Sequence, residues 1–245
     1  MKLHYFLPSI KGIPVLMYHR VVPNEQDGLT VSTQQLREQW NYLKQIGYKT
    51  LSLQTFYDIL CGKLPYTEKL VLLTFDDGYR NNLIHMKPLL EEFGFYATIF
   101  IIGDAIAEGQ QPTYPDLMNA AELKQFDSNK VSFALHGFHH ESFKETPIPE
   151  LKETILKSIS TFKENKLPFY PALAYPYGAR PEGSSFKELK KWMKDQGIQM
   201  AFRIGNKPAK TPTNDAYEIK RIDIRGSDSL EDFAIKLKKG KLKPF

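Results

Sequence analysis

The stretch Val71-Leu72-Leu73-Thr74-Phe75-Asp76-Asp77-Gly78-Tyr79 decides how the rest of this chain is interpreted. Its apolar residues are typical of a buried strand, and they stop at two adjacent carboxylates and a glycine. Both acids therefore stand at the carboxyl end of a strand, where α/β sheets and barrels carry their reactive groups. An isolated Asp-Asp-Gly is more often a turn that caps a helix, so the functional interpretation depends on the other strand ends.

Strand and helix patterns alternate on both sides of this stretch. We predict strands at residues 13–18, 48–51, 71–75, 96–102, 131–135, 171–175, 199–203 and 217–224. We predict helices at residues 34–46, 52–60, 79–93, 117–126, 149–163, 185–196 and 229–239. About eight strands separated by helices predict a mainly parallel sheet with right-handed crossovers. A single domain over residues 1–245 can bury one core, and this length favours a closed barrel.

The composition is that of an ordinary globular protein. Hydrophobic residues make up 42% and charged residues 25% of the chain, and no segment has the roughly 18 unbroken apolar residues of a membrane span. Residues 1–8 contain no long apolar region and no small-residue cleavage site, so we expect a cytoplasmic location. Cys61 is the single cysteine, which excludes an intramolecular disulfide.

The formal charge of +5 is concentrated in a basic tail at residues 236–243. Such a tail is usually a solvated chain end, and the alternative is weak contact with anionic lipid head groups or with an anionic polymer. Nucleic acid is not an expected partner, because the arginines are scattered and no nucleic-acid-binding motif is present.

A second polar cluster follows the strand predicted at residues 131–135. Three of the six histidines lie here, at His136, His139 and His140. This strand end shares a face with Asp76 and Asp77, and two imidazoles with one carboxylate suit a divalent metal such as zinc. His136 and His140, four residues apart, can converge on one ion if the turn is helical, and His139 is the competing ligand. The alternative is a solvated histidine cluster.

A third strand end, Ala172-Leu173-Ala174-Tyr175-Pro176-Tyr177-Gly178, completes the pattern. Thr74 to Gly78, His136 to His140 and Pro176 to Gly178 resemble, in this order, the motifs of the polysaccharide deacetylases, which form carbohydrate esterase family 4. The resemblance extends from Pro14 to about Ile224. It implies a distorted (β/α) barrel with about seven strands.

The resemblance also implies roles for individual residues. Asp77, His136 and His140 would hold a divalent metal ion, most suitably Zn²⁺, and Asp76 would be the catalytic base. The backbone N–H of Tyr177 would bind the oxyanion. These roles agree with amide hydrolysis, since a metal activates water and polarises the carbonyl while an unligated carboxylate takes the proton.

The sequence departs from the family pattern at two positions within these motifs. Ala174 stands where the family usually has an arginine that orients the base. Arg180 or Arg221 can supply a guanidinium instead, and we prefer Arg221 because it ends a predicted strand; an ordinary salt bridge is the alternative for either. Gly137 replaces the usual Ser or Thr, which removes a hydroxyl beside the ligand loop.

The third departure is that no histidine follows His140, although many members have a late strand that ends in a histidine acting as general acid. Val15-Leu16-Met17-Tyr18-His19 has this form at the other end of the chain. The order is similar to that of the poly-β-1,6-N-acetylglucosamine deacetylase branch, whose last motif comes first. We therefore predict His19 as the general acid, with a purely structural histidine as the alternative.

Together these features predict a metal-dependent hydrolase that removes N-acetyl groups from amino sugars of a glycan or of a lipid- or nucleotide-linked glycan precursor. One alternative is an esterase or amidase that acts on other acyl groups at the same site. Another is a catalytically silent glycan-binding module. Several aromatic residues are candidates for stacking on sugars, with a place in the core as the alternative that we favour for several of them: Tyr5, Phe138, Phe143, Tyr177 and Trp192.

Overall fold

The computed structural model describes residues 10–24, 27–109 and 111–242. Its strands are β1 Val15–Tyr18, β2 Arg20–Val22, β3 Thr30–Ser32, β4 Lys49–Thr50, β5 Leu70–Phe75, β6 Ala97–Ile101, β7 Val131–Leu135, β8 Ala172–Ala174, β9 Met200–Ile204 and β10 Ile219–Asp223. Its α-helices are α1 Thr33–Gln45, α2 Leu53–Leu60, α3 Lys87–Phe93, α4 Ala120–Leu123, α5 Ile148–Glu164, α6 Gly183–Asp195 and α7 Leu230–Lys239. Shorter helical turns are the π-helix Asn82–Met86 and the 3₁₀ turns Gly103–Ile106 and Pro176–Gly178.

Seven parallel strands close into a barrel. Their order around the ring is β1, β10, β9, β8, β7, β6 and β5, and the pairing of β1 with β5 completes it. In that closing pair Val15 lies opposite Leu72, and Tyr18 lies opposite Phe75. β4 extends the sheet outside the ring by pairing with the first two residues of β5. The predicted distorted (β/α) barrel with about seven strands is confirmed.

The barrel wall separates two apolar clusters. The outer cluster packs strand residues such as Val71 against the surrounding helices, and the inner cluster contains Leu72. α2 contributes Phe56 to the inner cluster, where its ring stacks on Phe202 with centroids 6.0 Å apart. Successive strand side chains point to opposite faces. Because Leu72 points into the barrel, Asp76, four residues later, lies on the same inner face. It stands at the mouth of the barrel, at the carboxyl ends of the strands.

Three helices begin at serines. The hydroxyls of Ser32, Ser52 and Ser229 each accept the backbone N–H of the residue three positions later. A side-chain acceptor at this position satisfies one of the N–H groups that the first turn leaves without a carbonyl partner. These caps fix the starts of α1, α2 and α7, close to where the sequence predicts them.

The helix predicted at residues 117–126 is much shorter than expected. Asn119 caps α4 through a reciprocal capping box with Glu122. Leu117, which the prediction placed inside the helix, instead forms a β-bridge with Tyr79. A capping box fixes the first turn after its own N-cap, so the helix cannot extend backwards past it.

Two other local features differ from the sequence-based expectation. The helix predicted after Gly78 starts as a π-helical turn, and Pro88 lies in the first turn of α3, which continues from it. β2 and β3 form a small parallel pair that the prediction missed, with Arg20 opposite Thr30. Both strands are three residues long, which is too short for a periodic signal.

Part of the predicted basic tail is structural. Lys236 in α7 is buried, and its ammonium donates to both carboxylate oxygens of Asp228 at 2.7 and 2.6 Å and to the carbonyl of Asp223 at 2.9 Å. Lys236 is therefore not available for contact with lipid head groups, which corrects that part of the prediction. Lys243, like residues 1–8, lies outside the described residues. Among the described helices, none combines the length and apolarity needed to cross a bilayer.

Candidate active site

Asp76 and Arg221 form a buried ion pair at the mouth of the barrel. Asp76 follows β5 and is 2% exposed, and Arg221 lies in β10 and is 1% exposed. The guanidinium Nη1 donates to Oδ1 at 2.5 Å and Nη2 donates to Oδ2 at 2.7 Å. A bidentate pair fixes the plane of the carboxylate as well as its charge. Of the two arginines that we considered, Arg221 contacts Asp76, whereas Arg180 pairs with Glu218.

This ion pair controls the charge of Asp76. Burial opposes ionisation of the carboxyl group, but the positive charge of Arg221, followed by that of His136, outweighs burial. The pKa of Asp76 is therefore well below its ordinary value. The side chain stays a carboxylate at neutral pH, and it can accept a proton only from a donor that has itself been made acidic.

Asp77 points at a different set of groups. Its φ is +71° and that of Gly78 is +82°, so the chain turns sharply after β5. A Cβ at Gly78 would lie 2.8 Å from Cδ1 of Ile101, which favours glycine there for space as well as for φ. Oδ1 of Asp77 lies 3.3 Å from Nε2 of His136 and 3.4 Å from Nε2 of His140. Among the described residues, this buried oxygen has no hydrogen-bond donor.

The two histidines converge as predicted, through a left-handed loop rather than the helical turn that we considered. Gly137 and His140 have φ values of +76° and +59°, and the two imidazole centroids are 4.9 Å apart. Nδ1–H of His136 donates to the carbonyl of Ala174 at 2.9 Å. Nδ1 of His140 lies 3.1 Å from the hydroxyl of Tyr114. Both contacts leave Nε2 directed at Asp77.

The protonation of the histidines follows from their surroundings. Burial, followed by the charge of His136, lowers the pKa of His140 to about 4, so its ring is neutral at pH 7. Burial also acts to lower the pKa of His136, but the carboxylates of Asp76 and Asp77 outweigh it and raise that pKa. The cluster therefore contains one neutral imidazole, that of His140, and one, that of His136, for which a proton and a bound cation would compete.

This donor set fits a divalent cation. Asp77, His136 and His140 each offer one ligand atom, and these atoms lie within 4.8 Å of one another. Two imidazole nitrogens and a carboxylate oxygen are ligands that zinc accepts, with positions left for water and substrate. The unpartnered Oδ1 of Asp77 supports this assignment, because buried polar atoms normally have a hydrogen-bond partner.

His19 and Tyr177 lie beside the same cluster. His19 follows β1, and its Nε2 is 3.9 Å from Oδ2 of Asp76. Its Nδ1 is buried and has no hydrogen-bond partner in the part of the chain that the structure describes. The ring of Tyr177 lies 4.5 Å from that of His140, centroid to centroid, and the residue is 63% exposed. The structure thus brings all seven predicted site residues to the barrel mouth.

Of the other aromatic candidates, those that the structure describes do not line the mouth. Phe138 and Phe143 are fully buried and belong to the core. Trp192 is partly buried against the outer cluster, and Tyr5 lies outside the described residues. Tyr177 is therefore the exposed aromatic ring among the candidates that can be described.

Sequence reasoning missed Glu141. Its carboxylate accepts the backbone N–H groups of Phe138, at 3.1 Å, and His139, at 2.8 Å. The Glu141 carboxylate thus fixes the backbone of the ligand loop. The family pattern has a Ser or Thr at the position of Gly137, and this chain lacks that hydroxyl. A Cβ at Gly137 would lie 2.9 Å from Oε2 of Glu141. The glycine at a motif position, with an acid four residues later, was the signal that could have revealed this exchange.

Tyr114 is the second residue that sequence reasoning missed. It lies on the segment between β6 and α4, where no periodic pattern indicates a role. Burial, followed by a hydrogen bond with the side chain of Tyr177, raises the pKa of Tyr114 to about 12, so its hydroxyl stays protonated at neutral pH. The phenol therefore connects His140, a candidate ligand, to the candidate oxyanion residue.

Comparisons with known proteins agree with this architecture. A family model described as polysaccharide deacetylase matches residues 63–201, more than half of the chain. The chain belongs to the polysaccharide deacetylase family. The deacetylase PplD of Streptococcus pyogenes, solved in complex with acetate, is similar over 94% of this chain and 99% of that one, with a TM-score of 0.78 at 20% identity. This likeness concerns the fold.

Two curated relatives share part of the sequence. YxkH of Bacillus subtilis strain 168 is 30% identical over 128 residues, which is 52% of this chain and 43% of that protein. The poly-beta-1,6-N-acetyl-D-glucosamine N-deacetylase of Escherichia coli K12 is 33% identical over 94 residues, 38% of this chain and 14% of that protein. The matches thus span less than half the length of either relative.

Proposed function

We propose that this protein is a metal-dependent deacetylase that removes N-acetyl groups from amino sugars of a glycan. The proposal depends on one observation, the different surroundings of two adjacent acids. Oδ1 of Asp77 faces both histidine Nε2 atoms without a hydrogen-bond partner among the described residues, whereas Asp76 is bound by Arg221. One acid is suited to be a ligand, and the other is left to act on a proton.

The chemistry of an N-acetyl group requires this division. The group is an unactivated amide, so breaking its C–N bond needs an activated water, a stabilised oxyanion and a protonated leaving amine. Asp77, His136 and His140 would hold a divalent cation, which we propose to be Zn²⁺, and the cation would polarise the acetyl carbonyl and make the attacking water more acidic. Asp76 accepts the proton that this water loses as its oxygen attacks the acetyl carbon.

The two remaining assignments concern the oxyanion and the amine. We assign the backbone N–H of Tyr177 to the oxyanion. We assign His19 to protonate the amine as the C–N bond breaks, giving acetate and a free amino sugar. Its position 3.9 Å from Oδ2 of Asp76 supports this role, because the base and the acid of one reaction must both reach the scissile amide.

The test is to measure metal content and acetate release on the same purified protein. We expect about one divalent metal per chain and release of acetate from N-acetylglucosamine oligomers, lost on treatment with a chelator and restored by Zn²⁺. Metal without acetate release, with release from O-acetyl or other acyl substrates, would favour the esterase or amidase alternative. Binding of oligomers with neither metal nor turnover would favour the glycan-binding module.

A pair of histidine variants tests the ligand assignment. His136→Ala should lower metal affinity by at least about tenfold and abolish acetate release, since it removes one of three protein ligands. His85→Ala removes a histidine from the π-helical turn, outside the ligand cluster, and is the matched control. Equal metal content in both variants would contradict the assignment.

The acetamido group occurs on polymers and on precursors alike. We extend the substrate proposal to lipid-linked and nucleotide-linked amino sugars. Rates on N-acetylglucosamine oligomers of increasing length, compared with those on nucleotide-linked N-acetylglucosamine, distinguish these substrates. A rate that rises with oligomer length would favour the polymer, and a higher rate on the nucleotide-linked sugar would favour the precursor.

A further inference from the structure

The two candidate histidine ligands are oriented by different kinds of partner. The Nδ1 partner of His136 is the carbonyl of Ala174, which can only accept a hydrogen bond. It therefore fixes the proton on Nδ1 and leaves Nε2 as the ligand atom. The Nδ1 partner of His140 is the hydroxyl of Tyr114, which can either donate or accept. The tautomer of His140 thus depends on how Tyr114 is held.

Tyr114 is held by a buried acid on the neighbouring turn. Asp104 is 1% exposed, and its Oδ2 accepts the backbone N–H of Thr113 at 3.1 Å and the Thr113 hydroxyl at 2.6 Å. The same oxygen is 3.0 Å from Nδ1 of His139. One carboxylate oxygen therefore fastens the residue before Tyr114 to the residue before His140.

The rings around Tyr114 support its position from the sides. Its ring packs against that of His140 with centroids 5.7 Å apart and against that of Tyr79 at 6.4 Å. These contacts involve the ring and not the hydroxyl. Removing the hydroxyl alone therefore leaves the packing in place and changes the partner of Nδ1.

We infer that Tyr114 is a positioning residue for the metal site, because its hydroxyl accepts Nδ1–H of His140 and so directs Nε2 at the cation. Asp104 is the anchor of this arrangement: its carboxylate binds both Thr113 and His139 and so keeps the Tyr114 hydroxyl beside His140. The inference goes beyond the proposed function by assigning the residues that orient one ligand, and it rests on that function because it requires a metal at Asp77, His136 and His140.

The test compares Tyr114→Phe with Tyr66→Phe. Tyr66 is the matched control, because its hydroxyl contacts the carbonyl of Gly12 at 3.3 Å, away from the site. Zn²⁺ affinity is measured by competition with a chromophoric chelator, and the melting temperature is measured on the metal-free proteins. We expect Tyr114→Phe to weaken Zn²⁺ binding by about tenfold or more, as for other groups that orient metal ligands, with an unchanged melting temperature. Tyr66→Phe should leave the Zn²⁺ affinity unchanged.

Equal Zn²⁺ affinity in Tyr114→Phe and the parent protein would overturn the inference while leaving the metal site intact. Absence of Zn²⁺ binding by the parent protein would overturn the metal site itself, and the inference with it. The role of Asp104 is tested by Thr113→Val, which removes one of its donors. Thr113→Val should weaken Zn²⁺ binding in the parent protein and have no further effect in Tyr114→Phe. Additive effects of the two substitutions would overturn the anchoring role.

Discussion

Two of the buried ion pairs among the described residues have different surroundings. Asp228 and Lys236, behind the last strand, satisfy one another fully, since the ammonium makes three hydrogen bonds and the carboxylate also accepts the backbone N–H of Arg225 at 2.8 Å. Asp76 and Arg221, at the mouth, are more deeply buried, but Nε of Arg221 has no partner among the described residues. The same holds for two neighbouring atoms, Nδ1 of His19 and Oδ1 of Asp77.

This difference separates a structural use of charge from a functional one. A buried polar atom without a partner costs free energy, so folding alone favours complete pairing of the charged groups, as between Asp228 and Lys236. Several unpartnered atoms within one cluster are expected where the missing partner is a substrate, a water or an ion. We therefore expect changes at Asp76 and Arg221 to affect turnover, and changes at Asp228 and Lys236 to affect stability.

The largest effect is expected at Asp76. Asp76→Asn keeps the shape of the side chain and removes the base, so acetate release should fall by about 10²–10⁴-fold while metal content stays unchanged. Metal analysis and a turnover assay on the same preparation measure both quantities. Hydrolysis at the parental rate would show that Asp76 is not the base.

Breaking the other ion pair should affect stability instead. Lys236→Met removes the ammonium and leaves the carboxylate of Asp228 buried, which should lower the free energy of unfolding by about 3–5 kcal/mol. Denaturant unfolding measures this loss. Turnover per folded molecule should stay at the parental value, and a specific loss of turnover would mean that the two regions are coupled.

The third prediction concerns pH. Arg221 lowers the pKa of Asp76 against the effect of burial, so Arg221→Met should raise that pKa. The carboxylate would then be lost at higher pH, and the acidic limb of kcat/KM should move upward by about one pH unit or more. The pH profile of kcat/KM for Lys236→Met, which breaks the other ion pair, is the control. An unmoved limb in Arg221→Met would show that another group controls it.

The smallest effect is expected at an exposed ion pair. Lys152 and Glu188 join α5 to α6 at 2.7 Å, with 27% and 58% of their side chains exposed. Lys152→Ala should change the free energy of unfolding by less than about 1 kcal/mol, because water screens the pair. A loss as large as that of Lys236→Met would mean that burial is not what distinguishes the ion pairs.

The fold and the meeting of the motifs could be predicted because they follow from strand periodicity. The strands run parallel, and Asp76 and His136 each follow the carboxyl end of a strand. The two residues therefore meet at one mouth of the barrel although they are 60 residues apart in the sequence. Loop geometry could not be predicted in the same way. His140 adopts a left-handed φ that is uncommon for a non-glycine residue, so the ligand loop is not the helical turn that we considered. Tyr114 lies 26 residues before His140 on a segment with no periodic pattern, and only tertiary structure brings them together.

Because β1 pairs with β5, the order of the strands around the barrel differs from their order along the chain. β1 lies between β5 and β10, so the strand before His19 is the neighbour of the strand that carries Arg221, although the two are far apart along the chain. The backbone N–H of Ile10 also donates to the carbonyl of Lys238, which brings the two ends of the described chain together. A ring of this kind has a cyclic order but no first member. Rearranged genes that begin at different strands can therefore encode the same constellation of side chains.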